Sequence, residues 1–533
     1  MSTQKDREKD GAARGSPREE DEGKTEVHPP PMSTQKDREK EEHKASFWVF
    51  FLTYMIYGGL FVLGYCKDFV TNLFTTTKKT PKGYAPLLRD FEDFYTRNLY
   101  HRIQDCWNRP ICSAPGARIK VILRETKDNN KTLQCTSEVR DCINLSSYNY
   151  LGFAQTEGKC IEDSVAALHK YSTSTCGPAA DYGYTDMHQE LEALVAKFLK
   201  KEDAVIFGMG FATNSTVIPA LGSKGTLIIS DSLNHSSLIV GARGGAARIR
   251  VFKHNDCEDL ERVVRESIRD GQPRTHRPWD RIIIIVEGIY SMEGEICNLP
   301  EIIRIKKKYK CFLYVDEAHS IGALGPNGGG VVDYFGANHD DVDILMGTFT
   351  KSFGAVGGYI CADKRTVDYL RKWSWGTNYA CSMSPACVRM ILSAFECILG
   401  LDGTSEGREK IEHLRLNSNY FRDRLTEMGF MTIGSRDSPI IPVLTYIPTM
   451  MPAVSRECLK LGLAVVVVGF PATGVVDSRC RFCISAAHTK ADLDEALAAL
   501  DIIGDRCMVK FQSGNKKIRD EARGRLAAMP AKW

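Results

Sequence analysis

Residues 347–358 read GTFTKSFGAVGG and set Lys351 between two hydroxyl residues, Thr348 and Thr350, among small side chains. An apolar run, 342–346, leads into them. Earlier in the chain, residues 312–319 (FLYVDEAH) form another apolar run, ending in Asp316, Glu317 and His319. A lysine at one strand end can hold an aldehyde as a Schiff base. An aspartate at another can pair with a pyridine nitrogen. Together they supply what pyridoxal phosphate (PLP) chemistry needs. Read alone, Lys351 is equally a solvated loop lysine.

Other residues extend the pattern. Residues 208–211, GMGF, sit at a strand-to-helix turn, where free backbone N–H groups can hold a phosphate. A plain turn reads the same way. Thr348 and Thr350 can add hydroxyl donors to that phosphate, or be ordinary β-branched strand residues. Asp316 can hold the pyridinium nitrogen, or cap a helix. His319 can bond a ring oxygen and His235 can stack on a ring face, although either histidine alone reads as a packed or surface residue. Arg481 can bind a carboxylate with both arms of its guanidinium, or form a surface ion pair.

The elements that must position these residues are short apolar runs at 204–207, 227–229, 249–252, 282–286, 312–315 and 344–346. The run IIIIV at 282–286 is continuous, as in a parallel strand covered on both faces. Helical patterns at 186–200, 259–269 and 299–309 alternate with the runs, and Asp186 with Gln189 reads as a capping box. Repeated alternation predicts a mainly parallel α/β sheet, whose ligands sit beyond the strands' carboxyl ends. Residues 371–435 read as connecting helices. Runs at 439–443, 464–468 and 481–485, with a last helix at 491–503, predict a smaller C-terminal α/β domain.

A chain of 533 residues is long enough for several folded parts. Its net charge of +3 gives no reason to invoke nucleic acid. The 18 Cys are scattered, with no secretory signal before them, and read as reduced thiols. Cys480 and Cys483 form a lone CxxC inside a strand-like run, which reads as buried small residues rather than a metal site. Residues 1–44 are charged and poor in large apolar side chains, so a disordered tail is expected. MSTQKDREK occurs there twice, at 1–9 and 32–40. Residues 45–66 carry no charge and are long enough to cross a bilayer, which predicts a membrane span. Residues 67–140 read as a membrane-proximal linker, 141–370 as the large domain, 371–505 as connecting helices and small domain, and 506–533 as a basic, solvated tail.

Several motifs, in order along the chain, resemble one family. GTFTKSFGAVGGY, VDEAHSIGALGPNG, SDSLNHSSLIVGAR, VEGIYSMEGEICNLP and SRCRFCISAAHT are similar to the α-oxoamine synthases, fold-type I (aspartate aminotransferase-like) PLP enzymes that join an amino acid to an acyl-CoA. FGMGFATNS, GQPRTHRPW and VVVVGFPAT narrow the likeness to the lysine-bearing long-chain-base subunits of eukaryotic serine palmitoyltransferases. The resemblance covers about residues 83–505. It implies PLP as cofactor, L-serine and palmitoyl-CoA as substrates, and a lysine-less subunit as heterodimer partner, with a homodimer as the alternative. It also implies an endoplasmic reticulum membrane location with the catalytic part facing the cytosol. By resemblance, Lys351 is the Schiff-base lysine, Asp316 the pyridine-nitrogen partner, His319 the ring-oxygen partner and His235 the stacking histidine. Thr348, Thr350, Gly210 and Phe211 line the phosphate, and Arg481 holds the amino-acid carboxylate. At 176–183 the chain departs from the family pattern, with Ala179 where an arginine is usual. Two other readings are a glycine-using sister enzyme, of the 5-aminolevulinate synthase or 2-amino-3-ketobutyrate ligase type, and a non-catalytic membrane scaffold. The membrane span argues against the first, and the intact set of Lys351, Asp316, His319 and His235 against the second.

Overall fold

The computed structural model describes residues 47–74, 82–85, 87 and 90–530. The tail expected over 1–44 lies outside them. The strands in chain order are β1 (Arg118–Glu125), β2 (Gln134–Asn144), β3 (Asp203–Phe207), β4 (Thr226–Asp231), β5 (Arg248–Phe252), β6 (Arg281–Glu287), β7 (Phe312–Asp316), β8 (Ile344–Thr348) and β9 (Gly358–Ala362). They are followed by β10 (Ile440–Tyr446), β11 (Leu463–Ala464), β12 (Val466–Val468) and β13 (Ser478–Cys483).

A seven-stranded sheet, in the order β3-β9-β8-β7-β6-β4-β5, carries the large domain. Strands β5, β4, β6, β7 and β8 pair in parallel, while β9 runs antiparallel to both β8 and β3. The expected mainly parallel sheet is therefore present, with one reversed strand. Strand β6 lies between β4 and β7, and Ile283–Val286 are buried because helices cover both faces. β5 is an edge strand, and its Arg248 and Arg250 blunt that edge. Since the parallel strands share one direction, their last residues (Asp231, Glu287, Asp316 and Thr348) line up along one rim.

Local signals set the helix ends. Asp256 caps Cys257–Asp270 by accepting the Asp259 N–H, and Lys310 closes Leu299–Tyr309 in the left-handed region. The capping box of Asp186–Phe198 is one residue earlier than expected: Thr185 pairs with His188, so the sequence pairing of Asp186 with Gln189 is corrected. An imidazole here does the work usually given to Glu or Gln.

The smaller domain differs from its sequence outline in two places. Residues 118–144, expected within or just after a linker, form the antiparallel hairpin β1–β2, and β11 adds to β2 in parallel. The N-terminal hairpin thus shares a sheet with the C-terminal part. Strands β10, β13 and β12 form the second small sheet. The expected solvated tail also contains a helix, Lys516–Ala527, packed on Glu406–Glu427. Charge rather than apolar area orients it: Arg525 Nε meets Asp423 Oδ1 at 2.7 Å, and Arg519 Nε donates to the Glu427 carbonyl at 2.7 Å.

The apolar segment is a helix, Phe47–Phe74, that runs past the charge-free stretch through Lys67 and Asp68. Its part from Phe47 to Thr71 is long and apolar enough to cross a membrane. One stripe packs on protein. Val49 and Ile56 lie against Leu444, Tyr446 and Ile447, and Gly64 sits under Phe94 of the helix Asp90–Asn98. Phe47, Trp48, Met55, Val62 and Leu63 face outward.

Candidate active site

Asp316 ends β7 and is 3% exposed. Its carboxylate is held from two sides: Asn214 Nδ2 donates to Oδ2 at 2.7 Å, and the Ala318 N–H donates to Oδ1 at 2.9 Å. No helix directly follows Asp316, so the helix-cap alternative is corrected: the side chain closes the turn at Ala318–Ser320 instead. Lys351 follows β8 by three residues, in a loop pinned at its mouth. Phe349 N–H donates to the Gly357 carbonyl at 2.9 Å, and Ala355 N–H to the Phe349 carbonyl at 3.0 Å. Burial lowers the Lys351 pKa to about 8, against the opposing pull of Asp316 and Glu287, so a sizeable fraction of the amine is neutral near neutral pH.

The hydroxyls flanking the lysine differ in surroundings. Thr348 is buried and donates to the Gly357 carbonyl at 2.8 Å; Thr350 Oγ1 lies 2.8 Å from it and is exposed. Gly210, the first residue of the helix Gly210–Leu221, presses on this pair. A Cβ there would stand 2.6 Å from Thr348 Oγ1, which explains the glycine. No side chain caps this helix N-terminus, and Phe211 beside it is partly exposed.

His235 caps the helix Ser236–Gly244, and its ring accepts the Ser237 N–H. Its own N–H donates to Glu287 Oε1 at the end of β6. Burial pushes the His235 pKa down, as does Lys351, while Asp316 pulls it up; the balance favours the neutral ring. Phe211 lies edge-on to that ring at 6.1 Å. Glu287 pairs in register with Asp316 across β6–β7, and burial together with the Asp316 charge raises its pKa well above the usual carboxylate range.

The loop carrying His235 is anchored by Asp231, which accepts the Leu233 and Asn255 N–H groups and bonds His254 Nδ1 at 2.9 Å. Burial opposes a charge on His254, but hydrogen bonds and charge from Asp231 and Glu295 outweigh it and raise its pKa to about 10. This value is above that of an unfolded histidine. The pair's stabilisation is therefore fully present below pH ~6.5 and is lost as pH rises through about 10. Between pH 7 and 10 the urea midpoint of the His254→Gln protein should fall less steeply than that of the wild type. Equal slopes would remove His254 as the cause.

His319 is buried, with Nδ1 2.8 Å from the Tyr150 hydroxyl. Burial drives its pKa well below the ordinary histidine value, helped by the charges of Lys351 and Arg481. Arg481 enters from β13 and is 4% exposed. It donates to the Ser291 carbonyl at 3.2 Å and to the Tyr148 hydroxyl, while its buried Nε has no hydrogen-bond partner among the described residues. Tyr148 joins the group. Lys351 Nζ lies 5.6 Å from its ring centre, Arg481 Cζ 4.9 Å and the His319 ring 5.2 Å.

Two lines of likeness follow. Residues 140–500 match the class I and II aminotransferase family. Serine palmitoyltransferase 2 of Dictyostelium discoideum is 54% identical over 436 residues, covering 82% of this chain and 89% of that protein. Human serine palmitoyltransferase 3 is 50% identical, covering 89% of this chain and 87% of the other. This chain belongs to the serine palmitoyltransferase family. Long chain base biosynthesis protein 2b of Arabidopsis thaliana is 52% identical, covering 89% and 97%. Among solved structures, the Sphingomonas wittichii serine palmitoyltransferase superposes with a TM-score of 0.70 at 26% identity, covering 80% of this chain and all of that one. A high-resolution serine palmitoyltransferase structure with PLP gives 0.68 at 26% identity, covering 79% and 100%. The α-oxoamine synthase likeness and the fold-type I architecture read from the motifs are borne out.

The donor set suits the PLP of this family. An uncapped helix N-terminus beside a threonine hydroxyl fits a phosphate, a fixed carboxylate fits a pyridine nitrogen, and a lysine of lowered pKa fits an aldehyde. Asp316 lies on the sheet rim, Gly210, Phe211 and His235 at the heads of the helices beside it, and Lys351, His319 and Arg481 meet at the Tyr148 ring. Sequence reasoning missed Tyr148, Asn214 and Glu287. Only the motif stretches around Asn214 and Glu287, FATNS and VEG, hinted at them. Cys480 and Cys483 are both buried and unpaired, as expected of strand residues. The divergent loop at 176–183 packs on 377–382, where Ala180 N–H donates to the Thr377 carbonyl and Ser382 N–H to the Gly177 carbonyl. Ala179 is half-buried there.

Proposed function

We propose that this chain is the lysine-bearing catalytic subunit of a serine palmitoyltransferase. It condenses L-serine with palmitoyl-CoA and releases CoA, CO2 and 3-ketosphinganine, the first step of sphingolipid synthesis. The observation that carries the reading is the gathering of the Lys351 amine, of lowered pKa, and Arg481 at the Tyr148 ring, with Asp316 at the end of β7 and His235 at the head of the helix Ser236–Gly244.

Bound there, PLP supplies an aldehyde for amino groups and a ring that withdraws electrons from the amino-acid Cα. Gly210, Phe211 and Thr350 hold its phosphate, with Thr348 fixing Thr350. Asp316, its two oxygens fixed in place by Asn214 and Ala318, would pair with the pyridine nitrogen. His319, fixed at Nδ1 by Tyr150, would bond the ring oxygen, and His235 would stack on the ring. Lys351 Nζ, neutral for part of the time, takes the proton from the serine Cα. Arg481 receives the serine carboxylate, its unpartnered Nε being available for a two-point contact. Tyr148 offers its ring to both cations, with Lys351 Nζ 5.6 Å and Arg481 Cζ 4.9 Å from its centre.

The apolar helix Phe47–Phe74 supports membrane attachment, which suits a long-chain acyl substrate and product. The 18 unpaired cysteines and the use of CoA support a catalytic body facing the cytosol at the endoplasmic reticulum. A lysine-less long-chain-base subunit is the proposed partner. The protein is expressed alone and with such a partner, and CO2 release from carboxyl-labelled serine is measured with palmitoyl-CoA. Serine-dependent release is expected. Release from glycine but not serine would move the chain to a sister activity.

A further inference from the structure

We propose that Asn214 and Ser237 are positioning residues that lock the Asp316 carboxylate and the His235 ring into one hydrogen-bonded unit with a single proton arrangement. The four groups come from three elements. Asn214 lies in the helix Gly210–Leu221, Asp316 ends β7, and His235 and Ser237 begin the helix Ser236–Gly244. Tyr314, also on β7, adds a fifth. All but His235 are essentially buried, so none of these bonds is exchanged for water without cost.

The proton positions follow from the chemistry of the partners. An ionised carboxylate only accepts, so Asn214 must turn its Nδ2 toward Asp316 Oδ2, 2.7 Å away. That orientation leaves Asn214 Oδ1 to accept from the Tyr314 hydroxyl at 2.7 Å. The second Nδ2 hydrogen goes to Ser237 Oγ at 3.0 Å. Ser237 in turn lies 2.8 Å from His235 Nδ1, and its backbone N–H points at the same nitrogen at 3.3 Å. The backbone N–H reaches Nδ1 only at 3.3 Å and by itself merely disfavours a proton there, whereas the hydroxyl, already accepting from Asn214, has its own hydrogen to give at 2.8 Å. Ser237 therefore donates its hydroxyl hydrogen to Nδ1, and the ring's one N–H is at Nε2, away from Ser237. Charge on Asp316 thereby turns the Asn214 amide and, through it, directs the Ser237 hydroxyl toward His235. Asn214 bonds both Asp316 and Ser237, one Nδ2 hydrogen to each.

The inference rests on the PLP reading for its catalytic half, but the tautomer is legible in PLP-free protein as well. The full-length protein is labelled with 15N-histidine, and the His235 ring signals are identified by their absence from the His235→Gln protein. The wild type should show the Nε2–H tautomer with and without PLP. Ser237→Ala should show a mixture of tautomers, and Ser237→Thr should restore the single form. Ser237→Ala should also lower kcat/KM for serine by about tenfold while leaving PLP affinity within about twofold, because Asn214 still holds Asp316. Asn214→Ala should weaken PLP binding by about tenfold or more, and adding Ser237→Ala to it should cost no further kcat/KM. A wild-type tautomer in Ser237→Ala, or losses that simply multiply in the double variant, overturns the inference. If Asn214→Ala does not fold, the Ser237 variants decide it. A wild type that neither binds PLP nor releases CO2 from serine overturns the functional reading instead, and the tautomer still decides the hydrogen-bonded unit.

Discussion

Lys351→Ala should remove the visible absorbance of the cofactor-bound protein and lower serine-dependent CO2 release by at least about 10³-fold. Two roles vanish with one side chain: the amine that captures the aldehyde, and the base at the serine Cα. The fold should survive, because the loop is held by backbone bonds at Phe349, Gly354 and Ala355 rather than by the lysine itself. Near-native far-UV dichroism beside lost turnover is therefore the expected pair of results, and retained turnover would sink the mechanism. The lowered pKa adds a sign. A neutral amine is the reactive form, so PLP capture by cofactor-free protein should speed up as pH rises through about 8 and level off above it. A rise centred two units higher would mean that burial does not tune this amine.

Asp316→Asn should cost about 10²- to 10⁴-fold in kcat with a much smaller change in KM for serine. The substitution keeps the volume and removes the charge. The Ala318 N–H still finds an oxygen, whereas Asn214 Nδ2 faces either an amide NH2 or a weaker acceptor. Without a fixed negative partner the pyridine nitrogen is no longer held protonated, and the ring withdraws electrons from Cα less well. Steady-state kinetics with PLP in excess separates this loss from weaker cofactor binding. An equal fall in kcat/KM and rise in KM, with kcat unchanged, would assign Asp316 to binding alone.

Asp316 and Thr348 were legible because β7 and β8 are apolar runs that stop abruptly at a polar side chain. Such runs fix where a parallel strand ends, and the ends of a parallel sheet are where ligands sit. Asn214 could not be singled out this way. It lies inside a helix, where a polar residue is usually solvent-facing, and only the packing of that helix on the sheet turns it inward. Tyr148 and Glu287 failed for a similar reason: their partners come from β13 and from the His235 loop, each far away in sequence. The hairpin β1–β2 was read as linker because its alternation is weak; β2 is mostly exposed until Cys142. The helix Lys516–Ala527 has little apolar surface to announce it and is oriented by Asp423 and Glu427, about a hundred residues earlier. In the 347–358 stretch, the glycines that follow the lysine have a clear cause. A Cβ at Gly357 would stand 2.5 Å from the Phe207 carbonyl, and one at Gly358 2.7 Å from the Gly347 carbonyl. They let β9 pass back between β8 and β3.

That return has a kinetic meaning for the lysine. With the loop mouth closed by β9, the backbone at Lys351 acts as a fixed post and the amine as the end of a short leash. Whatever it lets go of, it stays within a side chain's length of the place it left. A tethered amine competes at an effective concentration that no free one matches under ordinary conditions. Methylamine added to the Lys351→Ala protein should therefore restore only a trace of turnover, and the size of that trace would measure the length of the leash.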